Sequence, residues 1–589
     1  MTTWDLTHIY KNHDDFENAI KTIVSLRDQL VTFKGKLNDE KTFLEYMKLE
    51  KELSYHLGKA DHYASMSSDL NKKDINKAQD YGKMAMLAQS ISEALSFESP
   101  EIINIGKETI FSFIDNNEEL EEYRFGFEKL FRQEEHVLSA DKEQLLSYFG
   151  SLSNQGSELY SALSVADSNP VTITLSDKTK VNVSQGNWRN LIEKATKQSD
   201  RKKIFEAIFS YYDKHKTTYA QIYNTVMFSA EAERKARNHS SILSSFLFNN
   251  NIPEEVFLNL ISVASTENKA VKKYNKIRKK YLNLSTYHTY DRFIELASSN
   301  KEYSYEEGKE LFFKSIEHFP ADFQEKAHEV LSDGYVDVYE QPGKRSGAYS
   351  TGGGSDIHPY ILLNYSSSLD DVFTLAHEAG HSIHTLYSME NQKEALRHYT
   401  IFVAEIASTF NEHNLLDYLL NSGKLSKNEK IMLLQKSIDG IISTFYRQTL
   451  FAEYEYKVSK LVEQGQPLNH DVLSKIMIDL YKNYYGIDIE KEKVKQYVWA
   501  YIPHLFYTPF YVYQYATSFS ASLKLYEDVK NNVEGAFERY TGLLKSGGSK
   551  YPVEQAKLAG VDFLNKETYL SVTRRMEILV DELEKLLSE

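Results

Sequence analysis

The 589-residue chain has a net charge of −15 and contains no cysteine, so it forms no disulfide, offers no thiolate for catalysis, and is a poor candidate for binding nucleic acid. No segment reaches the roughly 18 uninterrupted apolar residues of a membrane-spanning helix, and the N-terminus lacks the basic and apolar regions of a signal peptide. We therefore expect a soluble cytoplasmic protein without membrane or nucleic-acid partners, whose oligomeric state the sequence leaves open. Any metal site must be built from His, Asp and Glu.

The first part of the chain predicts successive amphipathic helices. Apolar residues recur at helical spacing through 13–165, most clearly over 14–33, 39–57, 59–94 and 117–136. A hairpin is predicted at 170–183, where β-branched and polar residues alternate around a Ser-Asp-Lys turn, and helices resume over 187–283. We place a boundary near this hairpin and expect two regions: an N-terminal helical region with a small β-hairpin at 1–195, and a second domain at 196–589, which contains the motif described below.

The pattern changes to a small sheet at 333–365. Strands are predicted at 333–339 and 359–365, with a flexible glycine-rich loop at 347–355 between them. The sheet leads directly into the next predicted helix. Such a sheet either offers an exposed strand edge to an extended peptide or only closes the core, and the sequence does not decide between the two.

The most informative stretch is His377-Glu378-Ala379-Gly380-His381, an H-E-x-x-H motif. Ser368 and Asp371 form a capping-box pattern ahead of it, and apolar residues at helical spacing predict a helix. Residues four apart lie on one helix face, so His377 and His381 can bind one Zn²⁺ ion. Glu378 can then act as general base on a zinc-bound water that attacks a peptide bond.

A third zinc ligand is predicted at Glu405, because catalytic zinc takes three protein ligands. Its neighbours Val403, Ala404 and Ile406 are apolar, and a carboxylate in such surroundings is costly unless it is paired or bound to a metal.

Two further residues bear on this zinc site. Glu412, seven residues after Glu405, lies on the same helix face and could orient a ligand imidazole through a hydrogen bond, or it could be a surface carboxylate. His384 is an alternative third ligand, although it begins to rotate off the face of the two motif histidines. The longer H-E-x-x-H-x-x-G-x-x-H pattern is excluded, because His stands at 384 and Tyr at 387.

An aromatic stretch at 504–515 supplies candidate donors to the oxyanion of a transition state. His504, Tyr511 and Tyr515 have side chains that donate hydrogen bonds at neutral pH. Their spacing puts them on one face only if a helix extends back past Pro509. The alternative is that they are core aromatics, which are common in a chain with 42 Tyr.

Several stretches together resemble the M3 family of zinc metallopeptidases, and within it the oligoendopeptidase F group. The resemblance covers about 200–585, and less specifically the N-terminal helices. The stretches are His377–His384, Phe402–Glu412, Ser346–Tyr349, Tyr360–Tyr365, Pro503–Ala516 and Lys545–Pro552.

This resemblance implies a fold and a set of residue roles. The fold is mainly α, a two-lobed helical metallopeptidase with a small β-sheet next to the H-E-x-x-H helix and a deep channel. One zinc ion would be held by His377, His381 and Glu405, with Glu378 as general base. A His and a Tyr near 504–515 would be transition-state donors, and the substrates would be oligopeptides rather than folded proteins.

Two other classes of protein compete with this interpretation. One is an aminopeptidase or epoxide hydrolase with the same motif, but such enzymes carry a Gly-x-Met-Glu-Asn stretch upstream, and none is present at 300–370. The other is a helical binding scaffold with incidental histidines, which zinc analysis of the purified protein would distinguish. We therefore expect an endopeptidase that hydrolyses internal bonds of short oligopeptides.

Overall fold

The computed structural model describes residues 2–149, 152, 154–299 and 301–589. The chain is mainly helical with two small sheets, which confirms the predicted mainly α fold. It forms two compact units, each made of three separate stretches of chain. The first unit is Met1–Glu135, Lys301–Leu419 and Leu525–Gly560, and the second is His136–Asn300, Leu420–Lys524 and Val561–Glu589. The predicted division into 1–195 and 196–589 stays a prediction.

No helix within the described ranges combines the length and the apolar character that crossing a bilayer requires. The predicted location in the cytoplasm stays a prediction.

The first unit contains the N-terminal helices, the three-stranded sheet and the helix with the H-E-x-x-H motif. Its α-helices are His13–Val31, Glu40–Leu70, Ile75–Ala94, Glu98–Ile105, Lys107–Asn116, Arg124–Arg132, Tyr305–Ile316, Ala321–Val330, Leu369–Asn391, Ile401–Asn421, Ala536–Lys545 and Pro552–Leu558. Short 3₁₀ turns lie at Leu6–His8, Glu118–Tyr123, Gln133–His136, Gly354–Asp356 and Glu394–Leu396.

The N-terminal helices follow the predicted periodicity, with one boundary in the wrong place. Helix Glu40–Leu70 continues through Gly58, so the predicted division between 39–57 and 59–94 is wrong. The break comes at Asp74, which caps the next helix by accepting the N–H groups of Asn76 and Lys77. Gly58 serves close packing and does not end the helix, since a Cβ there would lie 2.5 Å from the Ser355 hydroxyl.

One other predicted helical segment differs in extent from the observed helix. The segment 117–136 is α-helical only over Arg124–Arg132, with 3₁₀ turns on either side. Residues 150, 151 and 153 of the predicted helical region 13–165 lie outside the described residues.

The three-stranded sheet lies immediately before the motif helix in the chain. Its strands are β3 (Val336–Asp337), β4 (Tyr349–Thr351) and β5 (Tyr360–Leu362), in the order β3-β5-β4, with β3 parallel and β4 antiparallel to β5. The prediction of a flexible loop at 347–355 is therefore wrong at its centre. Strand β4 ends at Thr351. The chain turns at Gly352, where φ is +133° and a Cβ would lie 2.7 Å from the His358 carbonyl oxygen. A glycine is needed at that turn.

The second unit consists of helices and one hairpin. The predicted hairpin is confirmed: β1 (Val171–Thr174) pairs antiparallel with β2 (Lys180–Val183). The α-helices are Ala140–Ser147, Gln155–Ser161, Trp188–Lys194, Gln198–Lys214, Lys216–Ala236, Ile242–Phe248, Glu254–Thr266, Lys269–Tyr281, Lys427–Ile441, Arg447–Glu463, His470–Tyr485, Val498–Tyr501, His504–Tyr507, Tyr513–Lys530, which begins in this unit, and Glu567–Ser588. Shorter π or 3₁₀ segments are Ala162–Ala166, Thr289–Phe293, Ile442–Tyr446, Ile489–Lys491 and Lys495–Tyr497.

Candidate active site

The motif helix, Leu369–Asn391, carries H-E-x-x-H and begins at the predicted capping box. The Ser368 hydroxyl accepts from the Asp371 N–H at 3.2 Å, and the Asp371 carboxylate accepts from the Ser368 N–H at 2.9 Å. These bonds satisfy N–H groups that have no partner within the first turn. Local sequence thus fixes where the helix begins and which face carries His377 and His381.

The Glu405 helix, Ile401–Asn421, packs against the motif helix at Gly380. A Cβ on Gly380 would lie 2.6 Å from the Ala407 carbonyl oxygen and 2.7 Å from the Ser408 Cα. Because backbone atoms stand there, no side chain could move aside to make room. The glycine of the motif therefore allows the two helices to approach closely, and this approach brings Glu405 beside the motif histidines.

The three predicted ligands meet at one point between these helices. Nε2 of His377 lies 3.4 Å from Oε2 of Glu405, and Nε2 of His381 lies 3.6 Å from the same oxygen. One ligand atom from each residue lies within 4.8 Å of the other two. Two imidazoles and a carboxylate in this arrangement could hold a divalent metal ion.

Among the described residues, one other group has a similar composition: His13, Glu17 and Asp80. His13 is exposed. The Glu17 carboxylate accepts hydrogen bonds from Lys83 Nζ at 2.7 and 2.8 Å, so a lysine already matches its charge. This group is a set of surface ion pairs, which contribute little, and we do not consider it a metal site.

Glu412 makes the contact that the helical spacing predicts. Its Oε1 lies 2.5 Å from Nδ1 of His377 and accepts that N–H. Burial acts to lower the pKa of His377, but the hydrogen bond and charge of Glu412, with Glu378 and Glu405 adding to them, raise that pKa to about 9. A carboxylate in this position also sets the orientation of the ring and leaves Nε2 facing Glu405.

The pKa of His381, the second histidine of the motif, shifts in the opposite direction. Burial lowers the pKa of His381 well below its ordinary value, and the charge of His377 lowers it further. The ring is therefore neutral at pH 7 and has a lone pair available for a cation.

Glu378 is buried beside the two histidines, with a relative exposure of 6%. Burial raises its pKa to about 7, and a hydrogen bond from the backbone of Ser350 on strand β4 partly opposes that rise. Its Oε2 has no hydrogen-bond partner within the described part of the chain. A carboxyl group with this pKa can both accept and return a proton near neutral pH.

These residues line a cavity of about 510 Å³ in the first unit. Strand β4 forms one wall, and the Ser350 hydroxyl bonds that of Ser382 on the motif helix at 2.8 Å. The prediction of a sheet next to the H-E-x-x-H helix is therefore confirmed. The other lining residues include His62, Arg397, His398 and Tyr399, none of which the sequence singled out. His62 lies in helix Glu40–Leu70, and the other three follow the 3₁₀ turn Glu394–Leu396 without regular structure, so no local pattern marks them.

His384 does not join the cluster of ligand atoms. Its ring stacks on Tyr399 with centroids 3.6 Å apart and planes 8° apart. It is 1% exposed, and burial lowers its pKa to about 3. Tyr399 in turn donates to the Thr385 hydroxyl or accepts from it at 2.8 Å. The alternative in which His384 supplies the third ligand has no geometric support.

The structure brings His504, Tyr511 and Tyr515 together in the second unit. The His504 ring lies 6.2 Å from that of Tyr511 and 6.3 Å from that of Tyr515, and the two tyrosine rings are 5.6 Å apart. Burial lowers the pKa of His504, so its imidazole is neutral at pH 7. The sequence placed the three residues on one face only if a helix continued past Pro509, and the structure lacks that continuous helix. Their role as donors stays a prediction.

The grouping depends on a turn between two helices. His504 opens helix His504–Tyr507, Tyr511 follows in the turn, and Tyr515 lies in helix Tyr513–Lys530. Phe510 within the turn has φ of +57°, a left-handed conformation that is uncommon for a bulky residue. Its N–H donates to Glu455 Oε1 at 2.7 Å, and burial raises the pKa of Glu455 to about 8. This buried contact holds the strained turn.

Comparison with known protein families gives two matches. The model described as peptidase family M3 matches residues 191–574, and the model described as oligopeptidase F matches residues 101–169. Together the matched segments contain every residue of the site described above except His62.

Relatives of similar length match along the entire chain. Oligopeptidase PepF of Bacillus subtilis is 32% identical over 99% of this chain and 87% of its own length. Group B oligopeptidase PepB of Streptococcus agalactiae is 33% identical over 100% of this chain and 97% of its own length.

Solved structures share the fold. A chain from Chlamydophila abortus described as a candidate peptidase superposes with a TM-score of 0.90 at 31% identity, covering 99% of this chain and 98% of that one. The oligoendopeptidase F of Enterococcus faecium superposes with a TM-score of 0.76 at 28% identity, covering 98% of this chain and 99% of the other.

Proposed function

The chain belongs to peptidase family M3, and from this membership we propose that it is a zinc-dependent endopeptidase that cleaves internal bonds of short oligopeptides. Membership makes the chain a metalloendopeptidase, a hydrolase of peptide bonds that acts on oligopeptides and uses a metal cofactor. The observation that carries the finer proposal is the meeting of His377, His381 and Glu405 beside the buried Glu378.

The three donor atoms suit zinc in both kind and spacing. Catalytic zinc takes three nitrogen or oxygen ligands and keeps a fourth position for water or substrate. With bonds of about 2.0–2.1 Å in a tetrahedron, ligand atoms lie roughly 3.3–3.5 Å apart. The observed separations of 3.4 and 3.6 Å support one zinc ion per chain, held by His377, His381 and Glu405.

Glu378 is the proposed general base. Bound zinc supplies Lewis acidity, which lowers the pKa of a water molecule and polarises the scissile carbonyl group. Glu378 then takes the proton of the attacking water and passes it to the leaving amine. Its burial and its unpartnered Oε2, the atom that would carry the proton, support this role.

His504, Tyr511 and Tyr515 are the proposed donors to the oxyanion that forms on the substrate. A tyrosine hydroxyl is a neutral donor at pH 7, and a neutral histidine donates from one ring nitrogen. Their mutual ring contacts and the turn held by Glu455 support treating them as one functional group. Donors held in advance of the reaction stabilise the transition state without reorganisation.

The ligand assignment predicts unequal effects on metal affinity. Glu405→Gln should weaken zinc binding by more than about 100-fold, because a direct ligand loses its charge, while Glu412→Gln should weaken it by about 10–100-fold through the orientation of His377. Competition with a coloured chelator measures both. Glu390→Gln is the matched control, since Glu390 lies at the end of the motif helix and pairs with Lys326. Wild-type affinity in Glu405→Gln would assign the third ligand to another residue.

The proposed substrate class predicts a sharp dependence on chain length. The deep channel that the family resemblance implies would admit only extended chains, so peptides of roughly 5–25 residues should be cleaved at internal bonds. Denatured casein should remain intact. Gel electrophoresis and mass spectrometry follow both substrates, with chelator-treated enzyme as the control. An N-acetylated peptide must also be cleaved, because an aminopeptidase would need the free amine. Rapid fragmentation of casein would contradict the length limit and leave the metal chemistry unaffected.

A further inference from the structure

A second cavity, in the second unit, is lined by four cationic side chains: Arg189, Arg292, Arg447 and Lys495. These residues come from four separate segments of the chain, and aromatic rings occupy most of the remaining wall. None of the four belongs to the proposed catalytic or metal-binding residues.

Among the described residues, no carboxylate lines this cavity. Within the described residues, none of the four cations forms a salt bridge. Arg447 donates to the Tyr481 hydroxyl at 3.4 Å, and Arg189 donates to the Tyr501 hydroxyl at 3.5 Å. Neutral hydroxyls at the outer limit of hydrogen-bond distance do not balance guanidinium charges.

Lys495 is the most deeply placed of the four, with a relative exposure of 6%. Its ammonium group lies 4.8 Å from the ring centroid of Phe209 and 5.5 Å from those of Phe205 and Tyr481. Cation–π contacts of this kind contribute modestly. They do not replace the water or counter-ion that a buried ammonium group loses.

The carboxylate whose charge acts on Lys495 is that of Glu492, which is hydrogen-bonded to Thr289 and does not line the cavity. Glu492 favours the charged form of Lys495. Its Oε1 accepts from the Thr289 N–H at 2.9 Å and its Oε2 accepts from the Thr289 hydroxyl at 2.6 Å. Burial, and then the charges of Arg447 and Arg292, lower the pKa of Lys495 well below its usual range.

We propose that this cavity binds one small inorganic anion of halide size, which neutralises the cation cluster. The space open to the centre of a water-sized particle is about 10 Å³, room for about one such particle, so we expect a single monatomic anion such as chloride or bromide and not sulfate or a phosphorylated metabolite. An anion there bridges segments around 189, 292, 447 and 495 and stabilises the second unit. The inference is independent of the proposed zinc chemistry.

The test uses the full-length, metal-loaded protein and titrates chloride against gluconate at constant ionic strength. Binding to the folded state should raise Tm in a saturable manner by about 1–3 °C, with bromide equivalent to chloride and sulfate without effect. Lys495→Met should abolish the halide-dependent rise. Lys475→Met removes the same charge from an exposed surface pair with Asp479 and should retain it.

Crystals soaked in bromide provide a second measurement that needs no variant. We expect an anomalous peak among Arg292, Arg447 and Lys495. A Tm that follows ionic strength alone, an unchanged halide response in Lys495→Met, or a cavity without bromide in the wild-type protein would each overturn the proposal. If Lys495→Met does not fold, the bromide experiment on the wild-type protein decides the question.

Discussion

Glu378→Gln is expected to keep its metal and to lower the turnover of a reporter oligopeptide by about 10²–10⁴-fold, the usual contribution of a general base. The substitution conserves shape, and the amide oxygen can still accept the backbone hydrogen bond from Ser350. It removes the ability to take up a proton. Since Oε2 has no other partner in the described chain, no structural contact is lost with it.

The measurement pairs kinetics with metal analysis of the same preparation. His381→Ala is the complementary variant, which should lose both the metal and the activity because it removes a proposed ligand. Peptide cleavage by Glu378→Gln at a rate near that of the wild type would refute the role of Glu378 as base. Loss of metal from Glu378→Gln would show that Glu378 contributes to binding instead.

Gly380→Ala is expected to destabilise the first unit by about 1–3 kcal/mol, as overpacking does, and to weaken metal binding at the same time. Its Cβ would stand 2.6 Å from the Ala407 carbonyl oxygen, so the motif helix and the Glu405 helix must separate. That separation moves Glu405 away from His377 and His381. Denaturant unfolding measures the first effect, and chelator competition measures the second.

Gly82→Ala is the matched control, since it makes the same change in a helix of the same unit. Nothing lies within 4 Å of a Cβ at Gly82, and alanine is the better helix former by roughly 1 kcal/mol. This variant should therefore be as stable as the wild type or more so, with unchanged metal affinity. Equal behaviour of the two variants would show that the helix contact at Gly380 does not position the site.

The grouping of the proposed metal ligands His377 and His381 could be predicted from sequence because its elements are local. The capping box, the apolar periodicity and the four-residue spacing of His377 and His381 all lie within one helix. Glu405 could be identified because a carboxylate among apolar neighbours needs a partner. Its approach through Gly380 could not be predicted, because a glycine inside a helix does not indicate which element packs against it.

The grouping of His504, Tyr511 and Tyr515 depends on features that the sequence does not reveal. Its three members were predicted together, yet they meet through a turn with a left-handed phenylalanine, a conformation that residue type gives no reason to expect. Glu455, which holds Phe510, lies 55 residues away in sequence. Strand β4 was similarly hidden inside a glycine-rich segment, because a three-residue edge strand is too short for alternation to be recognised.

The interleaving of the two units has a consequence for synthesis of the protein. The first unit includes 525–560 and the second includes 561–589, so neither can bury its complete core until the ribosome has translated almost the entire chain. At about 5–20 residues per second, the N-terminal helices emerge long before the last segments that complete their unit. A chain released before residue 525 would carry every proposed metal ligand and still leave both units unfinished. Premature termination is therefore expected to yield substrates for quality-control proteases and no active fragment.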